Sequence, residues 1–280
     1  MVPFPWRVHS DKELEKDFLN LRNRLETDKP SLTLQRPLVG YKCSNAFFQK
    51  ERMRIRSQNK PSAIDYWKRN HEYVKKYESN NDLFGRVVFL SFAPSEFNAY
   101  AAGMIYKYFM TLLNKTKFTV QDFYSGWSNR LVAAMALNVD YIGCDSNTRL
   151  QKPYEKMIDF FSNYSNSKVK MYFQPSETLR SIPAKGVDMV FSSPPFFNNG
   201  LVEEYPETES DYETFMRVSL VPIMKKCLDA KIWVCLYIPS NMYKDLKKIF
   251  GASTKKFVFK SKTNNLNAIP SNSNTIYCWK

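Results

Sequence analysis

The chain has 280 residues, 44% of them hydrophobic and 15% aromatic, with a net charge of +14. That length holds one large α/β domain, or one domain with a sizeable appendage, and the apolar content suffices for a substantial core. No run of about eighteen apolar residues occurs, which argues against a membrane-spanning helix, and five cysteines without a CxxC pair, beside only two histidines, argue against a disulfide scaffold or a zinc site.

The charge is unevenly spread. Residues 1–80 carry a net +7, residues 81–239 are neutral, and residues 240–280 carry +7 again. Two basic ends around a neutral centre fit a phosphate-backbone partner; the plainer reading is a lysine-rich surface. The odd cysteine count and the lack of a secretory leader fit a reduced, cytoplasmic setting, with nucleus and virion left open.

Residues 1–30 begin with a helical pattern. Leu14, Phe18 and Leu21 fall on one face, and Ser10 is placed to cap the helix. In residues 50–56 the alternation Arg52, Arg54, Arg56 would put three guanidiniums on one side if extended, making a phosphate-contacting ridge. Residues 62–78 suggest another helix, with Ile64, Trp67 and Val74 inward. Residues 1–80 therefore read as a basic, mainly helical accessory region and residues 81–280 as the main domain. No Gly/Ser-rich linker separates the two.

Ser95 can cap a helix over residues 97–113. From there strands and helices alternate. Strands fall at 118–124, 140–145, 169–173, 187–191 and 231–238, and helices at 129–137, 150–161, 212–228 and 242–250. Residues 256–260 and 274–279 read as a closing antiparallel hairpin, joined by the Asn- and Ser-rich segment 261–273, which contains Lys262. Such alternation means a mostly parallel sheet with helices on both faces, whose ligands bind at the carboxyl ends of the strands.

Two turns there carry chemistry. Asp122-Phe123-Tyr124-Ser125-Gly126-Trp127-Ser128 follows a strand and opens a helix, so Gly126 lets backbone approach a ligand. Asp145 ends the next strand 23 residues after Asp122, the place where these folds hydrogen-bond ribose hydroxyls. Neither GxGxxG nor GxxxxGK[ST] occurs, so a pyrophosphate is disfavoured and S-adenosylmethionine fits better. The second turn is Ser193-Pro194-Pro195-Phe196, directly after an apolar strand. An exocyclic amine on a base is a poor nucleophile until its two hydrogens are accepted and its lone pair is turned out of the ring. Ser193 Oγ and the Pro194 carbonyl can accept them, consecutive prolines hold that carbonyl rigid, and Phe196 offers a ring for a base taken out of its stack. The alternative for each turn is purely structural: a glycine that the backbone needs, and a Pro-Pro corner over a buried Phe.

Together these stretches resemble the class I S-adenosylmethionine-dependent amino-methyltransferases of DNA, the N6-adenine and N4-cytosine group. Ser193-Pro194-Pro195-Phe196 is similar to their catalytic (Asp/Asn/Ser)-Pro-Pro-(Tyr/Phe/Trp), and the stretch opening at Asp122 is similar to their cofactor loop. Gly126-Trp127-Ser128-Asn129-Arg130-Leu131 resembles the Gly-Trp-Gly-Gly-Arg-Leu of phage and large-virus members. The resemblance covers about residues 88–280. It implies a Rossmann-like sheet, S-adenosylmethionine as cofactor, and methyl transfer to adenine N6 or cytosine N4, with DNA ahead of RNA as polymer. It implies catalytic roles for Ser193, Pro194, Pro195 and Phe196. It implies cofactor contacts from Phe92, Pro94, Asp122, Tyr124, Ser125, Gly126, Asp145, Ser146, Gln174 and Ser193. Nucleic-acid contact falls to Arg52, Arg54, Arg56 and Lys262, and no metal or membrane is implied. Three departures stand out: Phe123 replaces a proline, Ser128 replaces the second glycine, and the third strand ends in Phe173-Gln174-Pro175-Ser176 without an acid. An RNA N6-adenosine methyltransferase and a catalytically inactive nucleic-acid-binding relative remain as alternatives.

Overall fold

The structure, a computed structural model, describes residues 2–57, 59–77, 82–196, 212–260 and 275–280. Its first helix, α1 (Asp11–Thr27), starts where the sequence says it should. Ser10 accepts from the Glu13 backbone N–H, and Glu13 reaches back to the Ser10 N–H at 2.9 Å, closing a capping box. The stripe Leu14, Phe18, Leu21 and Leu25 is buried, which at roughly 1.5–3 kcal/mol per side chain contributes on the order of 6–12 kcal/mol before the cost of ordering. Its last carbonyls are not orphaned: Lys107 Nζ donates to the carbonyls of Leu25, Glu26 and Asp28 at 2.7–2.8 Å.

β1 (Thr33–Leu34) and α2 (Tyr41–Arg52) follow, then α3 (Ala63–Tyr77) and α4 (Leu83–Leu90). Next come α5 (Ala99–Leu112), β2 (Thr119–Asp122), α6 (Asn129–Ala136), β3 (Asp140–Cys144), α7 (Gln151–Ser162), β4 (Val169–Tyr172) and β5 (Met189–Ser192). α8 (Tyr212–Phe215) passes through a π-turn, Met216–Leu220, into α9 (Val221–Asp229). Pro222 explains that turn: it has no N–H for the Val218 carbonyl, so the ladder slips by one residue. β6 (Trp233–Ile238), α10 (Ser240–Phe250), β7 (Lys255–Phe259) and β8 (Thr275–Trp279) complete the fold.

The eight strands form one sheet in the order β1-β7-β8-β6-β5-β2-β3-β4. All pairings are parallel except those of β8 with β6 and with β7. The chain runs outward from β2 through β3 to β4, then returns to the other side of β2 as β5. That reversal makes a topological switch point between β2 and β5, where open parallel sheets bind ligands. The core divides by face, as period-two alternation requires. Met189 and Phe191 of β5 point into a cluster with α1, α5, α6 and α7, whereas Val190 points into a second cluster with α9 and α10. The result is a Rossmann-like α/β sheet, mostly parallel, with an N-terminal helical region and a C-terminal antiparallel pair.

Residues 1–80 are built into that sheet. β1 pairs with β7 at its edge, Leu34 opposite Phe259, and α1 packs on α5 and α6. α3, α4 and the N-terminal Phe4 and Trp6 share a third cluster around Trp67 and Phe84, which straddles residue 80.

Two local expectations are corrected. The stretch 50–56 is not an extended ridge: α2 runs through Arg52, and Arg52 is only 4% exposed. In addition, residues 83–90 form a helix that the sequence reading did not assign; Leu83-Phe84-Gly85-Arg86-Val87-Val88-Phe89-Leu90 is apolar apart from Arg86 and shows no polar face. The cap of α5 is Asn98 rather than Ser95; Asn98 accepts from Ala101 N at 2.9 Å and its amide donates to the Pro37 carbonyl at 2.7 Å. Among the described residues no helix is long and apolar enough to cross a membrane. Lys262 and the segment 261–273 lie outside the described residues.

Candidate active site at the switch point

The carboxyl ends of β2 and β5 are tied by one carboxylate. Asp122, fully buried at the end of β2, accepts from Ser192 Oγ at 2.6 Å, from Tyr141 OH at 2.6 Å and from Arg130 Nε at 2.6 Å. Arg130 also donates to the Tyr124 carbonyl and lies 5.9 Å from the ring centroids of both Phe97 and Phe191. Burial alone would lower the Arg130 pKa, but the Asp122 charge beside it holds it above its ordinary value. Tyr124 N–H donates to Ser192 Oγ at 3.0 Å. Ser192 is therefore the clamp between the loop after β2 and the turn after β5, and Asp122 is an internal strut with its acceptor sites filled by protein.

Gly126 sits in that loop at φ +59°, a conformation that favours glycine. Its carbonyl accepts from Tyr154 OH at 2.9 Å, and its N–H donates to Asp145 Oδ2 at 2.7 Å. Ser125 N–H donates to the Cys144 carbonyl at 2.9 Å, which holds the loop against the end of β3. Asp145 also accepts from Asn147 N–H at 2.9 Å. A carboxylate has about four lone-pair sites, so two remain for a ligand. Burial pushes the Asp145 carboxyl up to about 6, against the two backbone donors that favour its ionised form.

The fit to S-adenosylmethionine can be tested on this loop. A Cβ built on Gly126 would meet nothing within 4 Å, so the space before the loop is open to a ligand. Ser128, at φ 68° as the N-cap of α6, is buried and its Oγ has no partner among the described residues. An open approach, a carboxylate with spare acceptors and an uncommitted buried hydroxyl suit a nucleoside with a polar tail. The residues present fit such a group, and Asp145 and Gly126 are the ones that would hold it.

The Ser193–Phe196 turn adjoins this loop. Ser193 is half-buried and Pro194 buried, and among the described residues nothing donates to the Ser193 hydroxyl or the Pro194 carbonyl. Phe196 lies edge-on to Tyr237 at 5.8 Å between centroids. Tyr237 in turn meets Phe97 at 5.0 Å and Phe259 at 6.0 Å, and the Arg36 guanidinium lies 3.6 Å from the Phe259 ring centroid. These rings wall the carboxyl ends of β5, β6 and β7.

The remaining sequence-picked residues are placed as follows. Tyr124 hydrogen-bonds Ser219 of the π-turn at 3.0 Å, and Ser219 donates to Glu177 at 2.9 Å. Gln174 turns its amide to Thr178 at 2.8 Å, and Ser146 is half-buried beside Asp145. Phe92 N–H bonds the Pro61 carbonyl at 3.0 Å, and Pro94 is buried; it is Glu96, two residues on, that reaches α6 through Asn129 Nδ2 at 3.4 Å. Arg52 is not on a nucleic-acid face: it is ion-paired with Glu96, both nearly buried. Arg54 pairs with Glu51 at 2.9 Å, and the two line a small cavity of about 50 Å³ with Ile55, Asn147 and Arg149. Arg56 lies past the end of α2, outside any alternating ridge. Sequence reasoning missed Ser192, Tyr141, Tyr237 and Glu96. Of these only Ser192 carried a signal, as the residue ending an apolar strand before the turn.

No family model matches the chain, and no curated protein matches it. Solved structures with a similar chain path include the N-terminal domain of human METTL16 in complex with SAH, at 12% identity and a TM-score of 0.41, covering 94% of this chain and 92% of that one. A human METTL16 catalytic domain with a 3′UTR hairpin has 13% identity and a TM-score of 0.43, over 67% of this chain and 72% of that one. The M. jannaschii tRNA m1G37 methyltransferase has 12% identity and a TM-score of 0.41, over 68% of this chain and 52% of that one.

Proposed function

We propose that the chain is an S-adenosylmethionine-dependent methyltransferase acting on the exocyclic amine of a base in nucleic acid. The observation that carries this reading is the Ser192 clamp: by joining Asp122 at 2.6 Å and Tyr124 N–H at 3.0 Å, it holds the Ser193–Phe196 turn beside the Gly126 loop. The cofactor, when bound, supplies an electrophilic methyl group on a sulfonium. Asp145 and Gly126 hold its nucleoside end. Ser193 Oγ and the Pro194 carbonyl, both without a partner among the described residues, accept the two amine hydrogens and so orient the nitrogen lone pair. Phe196, with Tyr237 behind it, offers the flipped base an aromatic face. Transfer is direct, with no covalent intermediate on the protein.

The motif resemblance points to DNA, while the METTL16–hairpin complex and the M. jannaschii tRNA enzyme are RNA-handling proteins. The test therefore offers both polymers: mass spectrometry of nucleosides after incubation with duplex DNA, single-stranded DNA and structured RNA. A methylated adenine or cytosine with the intact chain, lost in Ser193→Ala and Phe196→Ala, is the expected result. No methylated base in any polymer, with cofactor bound, would leave the inactive nucleic-acid-binding reading in its place.

A further inference from the structure

The aromatic wall beside the Ser193–Phe196 turn runs on past Phe196 and ends in a cation. Phe196 and Phe259 both meet Tyr237, at 5.8 and 6.0 Å between centroids. Phe259 meets Tyr237 and Phe97 edge-on, and the Arg36 guanidinium lies over its ring, 3.6 Å from the centroid. Phe259 is half-buried and Arg36 exposed. That face of the ring is therefore covered, and the surface it turns to solvent is the flat guanidinium.

The backbone holds Arg36 from both sides. Ahead of it, the Leu34 carbonyl accepts from Lys260 N–H at 2.8 Å, where β1 ends beside β7. After it, Pro37 has a fixed φ and its carbonyl accepts from Asn98 Nδ2 at 2.7 Å, and the Leu38 carbonyl accepts from Tyr41 N–H at 3.1 Å. The side chain, so well placed, has no oxygen to serve: among the described residues Arg36 makes no hydrogen bond or ion pair. Arg7, Arg22, Arg24 and Arg130 also lie over rings, and each donates to an oxygen as well. An exposed cation–π contact adds little to stability, so structure alone gives weak reason for this one.

The surroundings say what it suits. Leu38 is 78% exposed and Lys260 is exposed. A planar cation with five N–H donors, an apolar neighbour and a lysine match an unstacked nucleotide: the base lies on the guanidinium plane, its edge and phosphate take the donors, and Lys260 adds charge. An acidic peptide would use the donors but leave the plane and Leu38 idle. Resting on the methyltransferase reading above, we infer that the Phe259–Arg36 stack is a second base subsite, which takes a base flanking the target base on the same strand. The strand then crosses the carboxyl edge of the sheet from Phe196 towards Arg36. The N-terminal region meets nucleic acid through Arg36 rather than through the buried Arg52.

Fluorescence anisotropy with a labelled mixed-sequence single-stranded oligonucleotide, in DNA and RNA forms, tests this. Arg36→Met removes the plane and the charge at an exposed position and should weaken binding about five- to 150-fold, the worth of one stacked base. Arg36→Lys restores the charge without the plane and should leave most of that loss in place. The losses from Arg36→Met and Phe196→Ala should multiply in the double variant, because two different bases are held. The form bound more tightly identifies the polymer. Intact-level binding by Arg36→Met, full recovery by Arg36→Lys, or a double variant no weaker than Phe196→Ala alone overturns the inference and leaves the methyltransferase reading standing. Failure of the intact chain to bind either form also overturns it, whereas the methyltransferase reading falls only if no polymer is methylated.

Discussion

Replacing Arg130 by Met should separate the internal strut from the chemistry it supports. Arg130 and Asp122 are 5% and 0% exposed, with Nε and Oδ2 at 2.6 Å, and the guanidinium also serves the Tyr124 carbonyl. Removing one member of a buried ion pair costs about 3–5 kcal/mol, because the other charge stays behind unpaired. Here Asp122 keeps three donors, Tyr141 OH and Ser192 Oγ, each at 2.6 Å, and the Tyr124 N–H at 3.2 Å. That places the loss near the lower end, about 3 kcal/mol. For a domain of this size, at about 2 °C per kcal/mol, Tm should fall by roughly 6 °C. Methionine is apolar and flexible, so cavity formation adds little. Urea unfolding of Arg130→Met, Asp122→Asn and the double variant gives the coupling directly: the double should cost at least 1 kcal/mol less than the sum of the singles. A single-variant loss under 1 kcal/mol, or strict additivity, would refute the strut. The same variant should also weaken cofactor binding, because the Tyr124 carbonyl that Arg130 holds lies two residues before Gly126.

The other predictions follow from individual residues. Cofactor affinity should be flat above pH 7 and fall towards tenfold per unit below pH 6, as the Asp145 carboxyl, raised to about 6 by burial, takes up the proton that blocks ribose acceptance; calorimetry from pH 5 to 8 checks it, and a flat profile would count against Asp145 as the holder. The same shift disfavours the ionised native state, so Asp145 costs stability as pH rises from its unfolded value near 3.9 to about 6, roughly 3 kcal/mol in full above that window. Gly126→Ala should cost only about 1–2 kcal/mol of stability for its φ of +59°, since the new Cβ touches no protein atom. It should cost far more in cofactor binding, and equal losses in both would mean that the space is not a ligand space. Phe196→Ala should lower turnover on nucleic acid by the worth of one stacked base, about 1–3 kcal/mol or five- to 150-fold, with Phe196→Tyr restoring it; single-turnover rates for the three proteins decide.

The fold was legible because its signals are local. The Ser10–Glu13 box and the Leu14, Phe18, Leu21 stripe define α1, and alternating apolar strands and amphipathic helices define the sheet. What failed did so where two local readings compete and tertiary contacts choose. Arg52, Arg54 and Arg56 satisfy a period-two pattern, but α2 extends through Arg52, so the first turns inward to Glu96 while Arg54 pairs with Glu51. Ser95 and Asn98 are both good caps; Asn98 wins because its amide also reaches Pro37. At the site, Asp122 looks like a ligand residue in sequence, yet Ser192, Tyr141 and Arg130 fill its acceptor positions. Three partners 8 to 70 positions away cannot be read from spacing.

The two serines that end β5 divide the work in a way that follows from strand alternation. Ser192 is the last residue of the strand, buried, and points to Asp122. Ser193, one step on, must face the other way, half-exposed and without a partner among the described residues. The clamp and the proposed amine acceptor are thus adjacent in sequence and opposed in direction. The carboxylate that Ser192 engages also receives the arginine holding the Tyr124 carbonyl. Loosening either turn therefore loosens the other. Ser192→Ala should lower turnover through a displaced Ser193 and weaken cofactor binding through a displaced Tyr124, whereas Ser193→Ala should lower turnover alone. If Ser192→Ala leaves cofactor affinity unchanged while Ser193→Ala reduces it, the two roles are assigned to the wrong residues.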